Sequence, residues 1–178
     1  MPIIRAAVPA DAEHIGRVHV QVWRETYPGI VPQTILDTMS VEARAARWHD
    51  VLSNQPADQF FHLVLDGSEL IGFCGGGPAR YPTLGLPGEI YMINIVKAAH
   101  RKGVGRALMH RAAQSLMASG HTCAGLWVFV ENHNARAFYR RLGGVETDIR
   151  HTVEFNGDPR PEMAVHWGNL STLAANSR

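Results

Sequence analysis

The 178-residue chain is long enough for one domain with a substantial core, and 46% hydrophobic with 19% charged residues is an ordinary globular composition. With 17 basic and 16 acidic residues the formal net charge is +1, so bulk charge does not suggest a nucleic-acid partner, none is expected, and any basic site must be local. No apolar run reaches the length of a secretory leader or a bilayer span, so a cytoplasmic protein without a membrane partner is expected.

Ile3 to Val8 reads as a short strand ended by Pro9. A helix follows from about Asp11 to Trp23, apolar at Ile15, Val18 and Val22. "YPGIVP" is a turn, and Val41 to Asn54 is a second helix with Ser40 placed to cap it. The period then changes. "QFFHLVLDGSELIGFCGGG" reads as two strands about an Asp66-Gly67 turn, and Gly88 to Val96 as a third, apolar enough to be central.

Gly103 to Ser119 forms a helix with the stripe Val104, Leu108, Ala112 and Leu116, closed by Gly120. "AGLWVFVE" is a strand, "NARAFYRRLGG" a helix ended by Gly143-Gly144, and "VETDIRHTVEFNGDPRPEMAVHW" a hairpin about "NGDPRP". The order βααβββαβαββ predicts a mixed α/β sheet in a single domain spanning 1–178, with a polar tail at 168–178 expected to fray. Cys74 and Cys123 lie in separate apolar segments and read as reduced thiols. The ten histidines show no ligand spacing, so no metal is expected.

The stretch "HRKGVGRALMH", His100 to His110, concentrates charge where a helix begins. A helix N-terminus leaves amide N–H groups unpaired and carries positive partial charge, so anions bind there. Gly103 and Gly105 remove side chains that would block close approach, and Arg101, Lys102 and Arg106 add charge-assisted hydrogen bonds. The pattern is not a Walker A loop, which needs GxxxxGK[ST]. It is not a dinucleotide fingerprint either, since Leu108 stands where a third glycine is required. A basic, solvated helix start is the alternative.

"HRKGVGRAL" resembles the Q/R-x-x-G-x-G/A loop of the GCN5-related N-acetyltransferase (GNAT) superfamily, which binds the pyrophosphate of acetyl-CoA. Downstream, Asn132, Ala135, Phe138, Tyr139 and Gly143 of "ENHNARAFYRRLGG" match that family's second motif, N-x-x-A-x-x-(F/L)-Y-x-x-x-G. The likeness covers about Ile3 to Trp167, with the specific motifs inside residues 89–144. His100 departs from the usual Gln or Arg, and Gly144 from the usual Phe.

The resemblance implies a mostly antiparallel central sheet flanked by helices and splayed at its central strands, with acetyl-CoA as co-substrate. Its arm would run back along Ile93 to Val96, pairing with main-chain groups of Ile93 and Ile95. His100, Arg101, Lys102, Gly103, Val104, Gly105 and Arg106 would hold the pyrophosphate, and Asn132 and Ala135 would add contacts. An amine would attack the thioester directly, so neither cysteine is needed as a nucleophile. Tyr139 would protonate the leaving thiolate, or else only pack beside Phe138.

Glu89 is similar in place to the glutamate that serves histone-type members as a base through water. Strand rise puts it roughly 13 Å from Ile93, and a solvated or salt-bridged strand start is the alternative. The acceptor site is expected from Trp23, Glu25 and Tyr27 and from a flexible lid, "GGGPARYPTLGLPGE", carrying Tyr81. An aromatic cleft with a carboxylate suits a small cationic amine; the alternative reads Trp23 and Tyr27 as core residues of an amphipathic helix. A peptide or protein acceptor and a non-catalytic acyl-CoA sensor are the competing functions. Many members of the family are homodimers, and the 145–167 hairpin is where this chain would form one.

Overall fold

The computed structural model describes residues 2–175. A seven-stranded sheet runs in the order β1-β2-β3-β4-β5-β7-β6, from β1 (Ile3–Ala6), β2 (Phe60–Asp66), β3 (Glu69–Pro78), β4 (Gly88–Ile95), β5 (Ala124–Phe129), β6 (Val145–Phe155) and β7 (Asp158–Trp167). Every pairing is antiparallel except β4 with β5. That parallel pairing needs a crossover, which α4 (Val104–Ala118) supplies. The helices α1 (Ala12–Thr26), α2 (Gln33–Asp37) and α3 (Val41–Ser53) precede β2; α5 (His133–Arg141) follows β5 and α6 (Leu170–Ala175) follows β7.

α1 and α3 pack together on one face of the sheet, α4 and α6 on the other. The predicted α4 stripe is the reason: Val104 is 4% exposed, and Leu108, Ala112 and Leu116 are fully buried. Burying each large aliphatic chain contributes about 1.5–3 kcal/mol. Ser40 caps α3 as expected, its Oγ accepting from the Ala43 N–H at 3.1 Å. The β6–β7 turn uses Asn156 and Gly157, both with positive φ, which matches the twist of a tight hairpin.

Two elements differ from expectation. Gln33–Asp37 is a short helix inside a stretch that lacks a full period, seated by the buried Leu36. The expected fraying tail contains α6, because Leu170 and Leu173 are almost wholly buried in the main core beside α4. Residues 176–178 of that tail lie outside the described residues. No helix among the described residues is long and apolar enough to cross a membrane.

Candidate active site

β4 and β5 pair only at Gly88 with Ala124 and at Glu89 with Gly125. Beyond that point β5 stays paired to β7 and β4 to β3, so the sheet opens into a cleft between Ile90–Ile95 and Leu126–Phe129. Donors along a strand alternate sides. The Val96 N–H reaches the Ile71 carbonyl on the β3 side at 3.1 Å, so the main-chain groups of Ile93 and Ile95 face the opening. Val96 does not join them: its N–H is used there and its carbonyl accepts from the Ala99 N–H at 2.9 Å.

The loop after β4 contains two residues with left-handed backbone, Arg101 (φ 59°) and Gly103 (φ 83°). The non-glycine costs on the order of 1 kcal/mol, and the surrounding turn must hold it. Gly103 occupies the N-cap of α4 with no side-chain cap, and a Cβ there would meet nothing within 4 Å. The first intrahelical bond runs from the Ala107 N–H to the Gly103 carbonyl at 3.0 Å. The amides of Val104 and Gly105 therefore have no acceptor inside the helix. With Arg101, Lys102 and Arg106 exposed around it, this open, uncapped helix start fits a pyrophosphate.

Three residues of the loop act differently from expectation. A Cβ on Gly105 would lie 2.9 Å from the Phe138 ring and 3.2 Å from Ile95 Cδ1, so the missing side chain makes room for α5, and only the amide is left to meet phosphate. The Val104 side chain is buried, leaving only its amide for a ligand. His100 turns its Nε2 to the Ile95 carbonyl at 2.9 Å. A carbonyl only accepts, so this nitrogen carries the proton, and the ring ties the loop to β4 instead of reaching for phosphate.

At the other wall, Asn132 caps α5, its Oδ1 accepting from the Ala135 N–H at 3.2 Å and leaving its amide nitrogen uncommitted to the cap. Tyr139 is buried edge-on to Trp167, with centroids 6.0 Å apart. Burial raises its hydroxyl pKa well above the ordinary value, with the Tyr27 phenol adding to the effect, so it holds its proton. A Cβ on Gly144 would come within 2.7 Å of Trp167. The indole already fills the space beside Gly144, and the departure from phenylalanine costs no packing.

The acceptor side lies on the α1 face. Glu89 is fully buried and bound by Arg80 alone: its carboxylate accepts from the Arg80 backbone N–H at 2.7 Å, from Nε at 3.1 Å and from Nη2. The salt-bridged alternative for Glu89 is the one realised. Arg80 also sits 4.5 Å from the Tyr91 ring centroid. The expected flexible lid is pinned: Leu84 is fully buried, His166 Nε2 meets the Leu84 carbonyl at 2.8 Å, and the Ala79 N–H reaches the Pro87 carbonyl at 2.8 Å.

The Tyr81 ring packs at a tilt against His151, with centroids 4.9 Å apart, and His151 lies 5.4 Å from Trp127. Tyr27 packs edge-on against Trp23 and Phe129, at 5.0 and 5.5 Å, and burial followed by the nearby Glu162 charge pushes its hydroxyl up to about 12. Trp23 belongs to the small apolar cluster with Val20, Leu36 and Met39. Glu25 is turned elsewhere, capping the Lys97 N–H at 2.7 Å.

Sequence reasoning missed Arg80, Trp127, His151 and Glu162. Among the described residues Trp127 Nε1 is buried without a hydrogen-bond partner, a donor on the same sheet face as Glu162. The one legible signal was Glu162 itself, a lone carboxylate entering the apolar end of "PRPEMAVHW". No cluster of metal-ligating side chains occurs among the described residues.

The sequence profile of the acetyltransferase (GNAT) family matches residues 21–144. The chain is 28% identical over 173 residues to the uncharacterized N-acetyltransferase YuaI of Bacillus subtilis, covering 97% of this chain and 96% of that protein. It is 32% identical over 152 residues to a mycothiol acetyltransferase of Mycolicibacterium vanbaalenii, covering 72% of this chain but only 48% of that longer protein. The fold is that of the PaiA N-acetyltransferase of Thermoplasma acidophilum, crystallised in complex with coenzyme A, with a TM-score of 0.67 at 21% identity and coverage of 94% and 99% of the two chains.

Proposed function

This chain belongs to the GNAT family of acetyltransferases and is an acetyl-CoA-dependent N-acetyltransferase; from that premise we propose that its acceptor is the primary amine of a small molecule. The observation that carries the reading is the pinning of the segment that borders the acceptor side. The segment over it is latched by Arg80 to Glu89 and anchored by Leu84, which favours a closed pocket over an open peptide groove. The rings of Tyr27, Tyr81 and Trp127 and a half-buried carboxylate at Glu162 suit a compact cation. A relative named for mycothiol is in keeping with a small acceptor.

Acetyl-CoA supplies an activated acyl carbonyl with a sulfur leaving group. In this reading Arg101, Lys102, Arg106 and the amides from Gly103 to Gly105 hold its pyrophosphate. The free main-chain groups of Ile93 and the Ile95 N–H pair with its arm, and the Asn132 amide adds a contact beside Ala135. Tyr139, kept protonated by burial, delivers a proton to the departing sulfur. Glu89 shapes the pocket through Arg80.

Free cysteines at Cys74 and Cys123 are in keeping with a reducing, cytoplasmic location. The edge strand β6, whose Val145 is 64% exposed, is the surface on which a homodimer would form; light scattering on the purified chain tests it.

The primary test measures CoA release with a panel of monoamines, polyamines, amino acids and aminoglycosides, set against N-terminal and lysine peptides. Turnover on a small amine at catalytic efficiency above that on any peptide is expected. Turnover on peptides alone would move the assignment to a protein acceptor. Acetyl-CoA binding with no turnover on any amine or peptide would favour the sensing module.

A further inference from the structure

An attacking amine arrives mostly as ammonium near neutral pH, and a base must take a proton from it. Glu89 is badly placed for this, because among the described residues every hydrogen bond its carboxylate accepts comes from Arg80, and it is fully buried in that ion pair. The sheet face beside the cleft carries a second carboxylate. Glu162 of β7 stands directly opposite Phe129 of β5 and His151 of β6. Directly opposed residues share a sheet face. Gly125, Trp127 and Phe129 alternate onto that face, and Glu89 joins it through its pairing with Gly125.

Position along the strands separates the two acids. Phe129 lies four residues along β5 from Gly125, as Ile93 lies four along β4 from Glu89. Glu162 is therefore level with the open part of the cleft where Ile93 presents its main chain, whereas Glu89 sits at the vertex. Among the described residues the Glu162 side chain makes no hydrogen bond and no ion pair, and the residue is half-buried.

We propose that Glu162 is the general base that accepts the proton of the acceptor amine, with the Arg80–Glu89 pair beside it as a fixed electrostatic frame. This rests on the acetyl-transfer reading above. Glu162 takes one proton from the ammonium and later gives it to solvent. The freed nitrogen lone pair forms the C–N bond as the C–S bond breaks and sulfur keeps the bonding pair. The second nitrogen proton leaves as the amide forms, and it balances the proton that Tyr139 gives the thiolate, so each turnover releases one proton overall.

The groups facing Glu162 are Arg80, Glu89, Tyr27 at the end of α1, His151 opposite on β6, and Arg160, which is already paired with Asp158. Burial pushes the Glu162 carboxyl up to about 7; the Arg80 guanidinium opposes this and the Glu89 carboxylate adds to it. A base with a pKa near the working pH has the largest usable proton affinity while still ionised.

The test compares the native chain with Glu162→Gln, Glu162→Asp and Glu89→Gln, reading kcat/KM against pH with the best acceptor and acetyl-CoA affinity by calorimetry. The proposal expects Glu162→Gln to lower kcat/KM by roughly 10²-fold or more and to abolish the rise through pH 7. Acetyl-CoA affinity should be unchanged, with partial recovery in Glu162→Asp. A Glu162→Gln enzyme within about threefold of native that keeps this limb overturns it, as does loss of the limb in Glu89→Gln alone. If no small amine is turned over, the acceptor reading falls by itself and the same profile is taken on peptides. Independently of any acceptor, carboxyl-labelled NMR should show one glutamate titrating above pH 6 in the native chain and missing in Glu162→Gln; its absence from the native chain also overturns the proposal.

Discussion

At the scale of single residues, the two loop glycines look alike in the sequence and do different work. Gly103 has left-handed backbone and open space where a Cβ would stand, whereas Gly105 is in contact with Phe138. Gly103→Glu places a carboxylate at the uncapped helix start and strains a positive φ, and it should weaken acetyl-CoA binding by at least about tenfold through charge repulsion. Gly105→Ala should instead act on packing, lowering the unfolding midpoint by the overpacking cost of about 1–3 kcal/mol with a smaller effect on affinity. Calorimetry and thermal melts on the pair separate the roles; equal loss of affinity with unchanged stability in both would refute the distinction. The basic loop and the N-x-x-A-x-x-F-Y motif were legible because they are local strings. The partners of His100 and Glu89 were not, because the turn after β4 must fold His100 back onto the Ile95 carbonyl, and the β3–β4 connection must bring Arg80 onto Glu89.

At the scale of elements, local pattern was a sound guide wherever one face is buried. The α4 stripe, the Ser40 cap and the hairpin turn at Asn156-Gly157 all form as the residues indicate. The tail reads as polar because only two of its side chains matter. Leu170 and Leu173 are spaced to share one helix face, and both are buried beside α4. Leu173→Ala should therefore cost about 2–5 kcal/mol, read as a lower urea midpoint at unchanged slope. A change under about 0.5 kcal/mol would mean that α6 does not contribute to the core. The expected mobile lid became a pinned segment for a similar reason: Leu84 has no periodic context in sequence, and only the sheet supplies its pocket.

At the scale of the whole molecule, stability and activity should respond to pH in different windows. Burial holds His19 down to about 3, with Arg44 and Arg47 adding to it, and holds His62 down to about 4, helped by Arg111. Both stay neutral when folded but take up a proton near 6.5 when unfolded, so the stability they contribute is present above 6.5 and lost as pH falls. Glu162 acts oppositely: its raised folded value favours the native state below the ordinary carboxylate range and loses that contribution as pH rises toward 7. Two histidines outweigh one carboxylate between about 4.5 and 6.5, at about 1.4 kcal/mol per group per pH unit. Denaturant midpoints should therefore rise from pH 5 to 6.5 and level off by pH 7, while kcat/KM keeps rising through 7; midpoints that fall steadily across that range would refute the assignment. The sequence by itself determined the order of elements, the core-facing stripes, the anion-binding helix start and the motif pair, because each depends on neighbours within a turn or two of chain. Tertiary structure alone decided which carboxylate is spent on Arg80 and which faces the cleft. Ion pairing and burial depend on residues brought together across the sheet, and no local period records them.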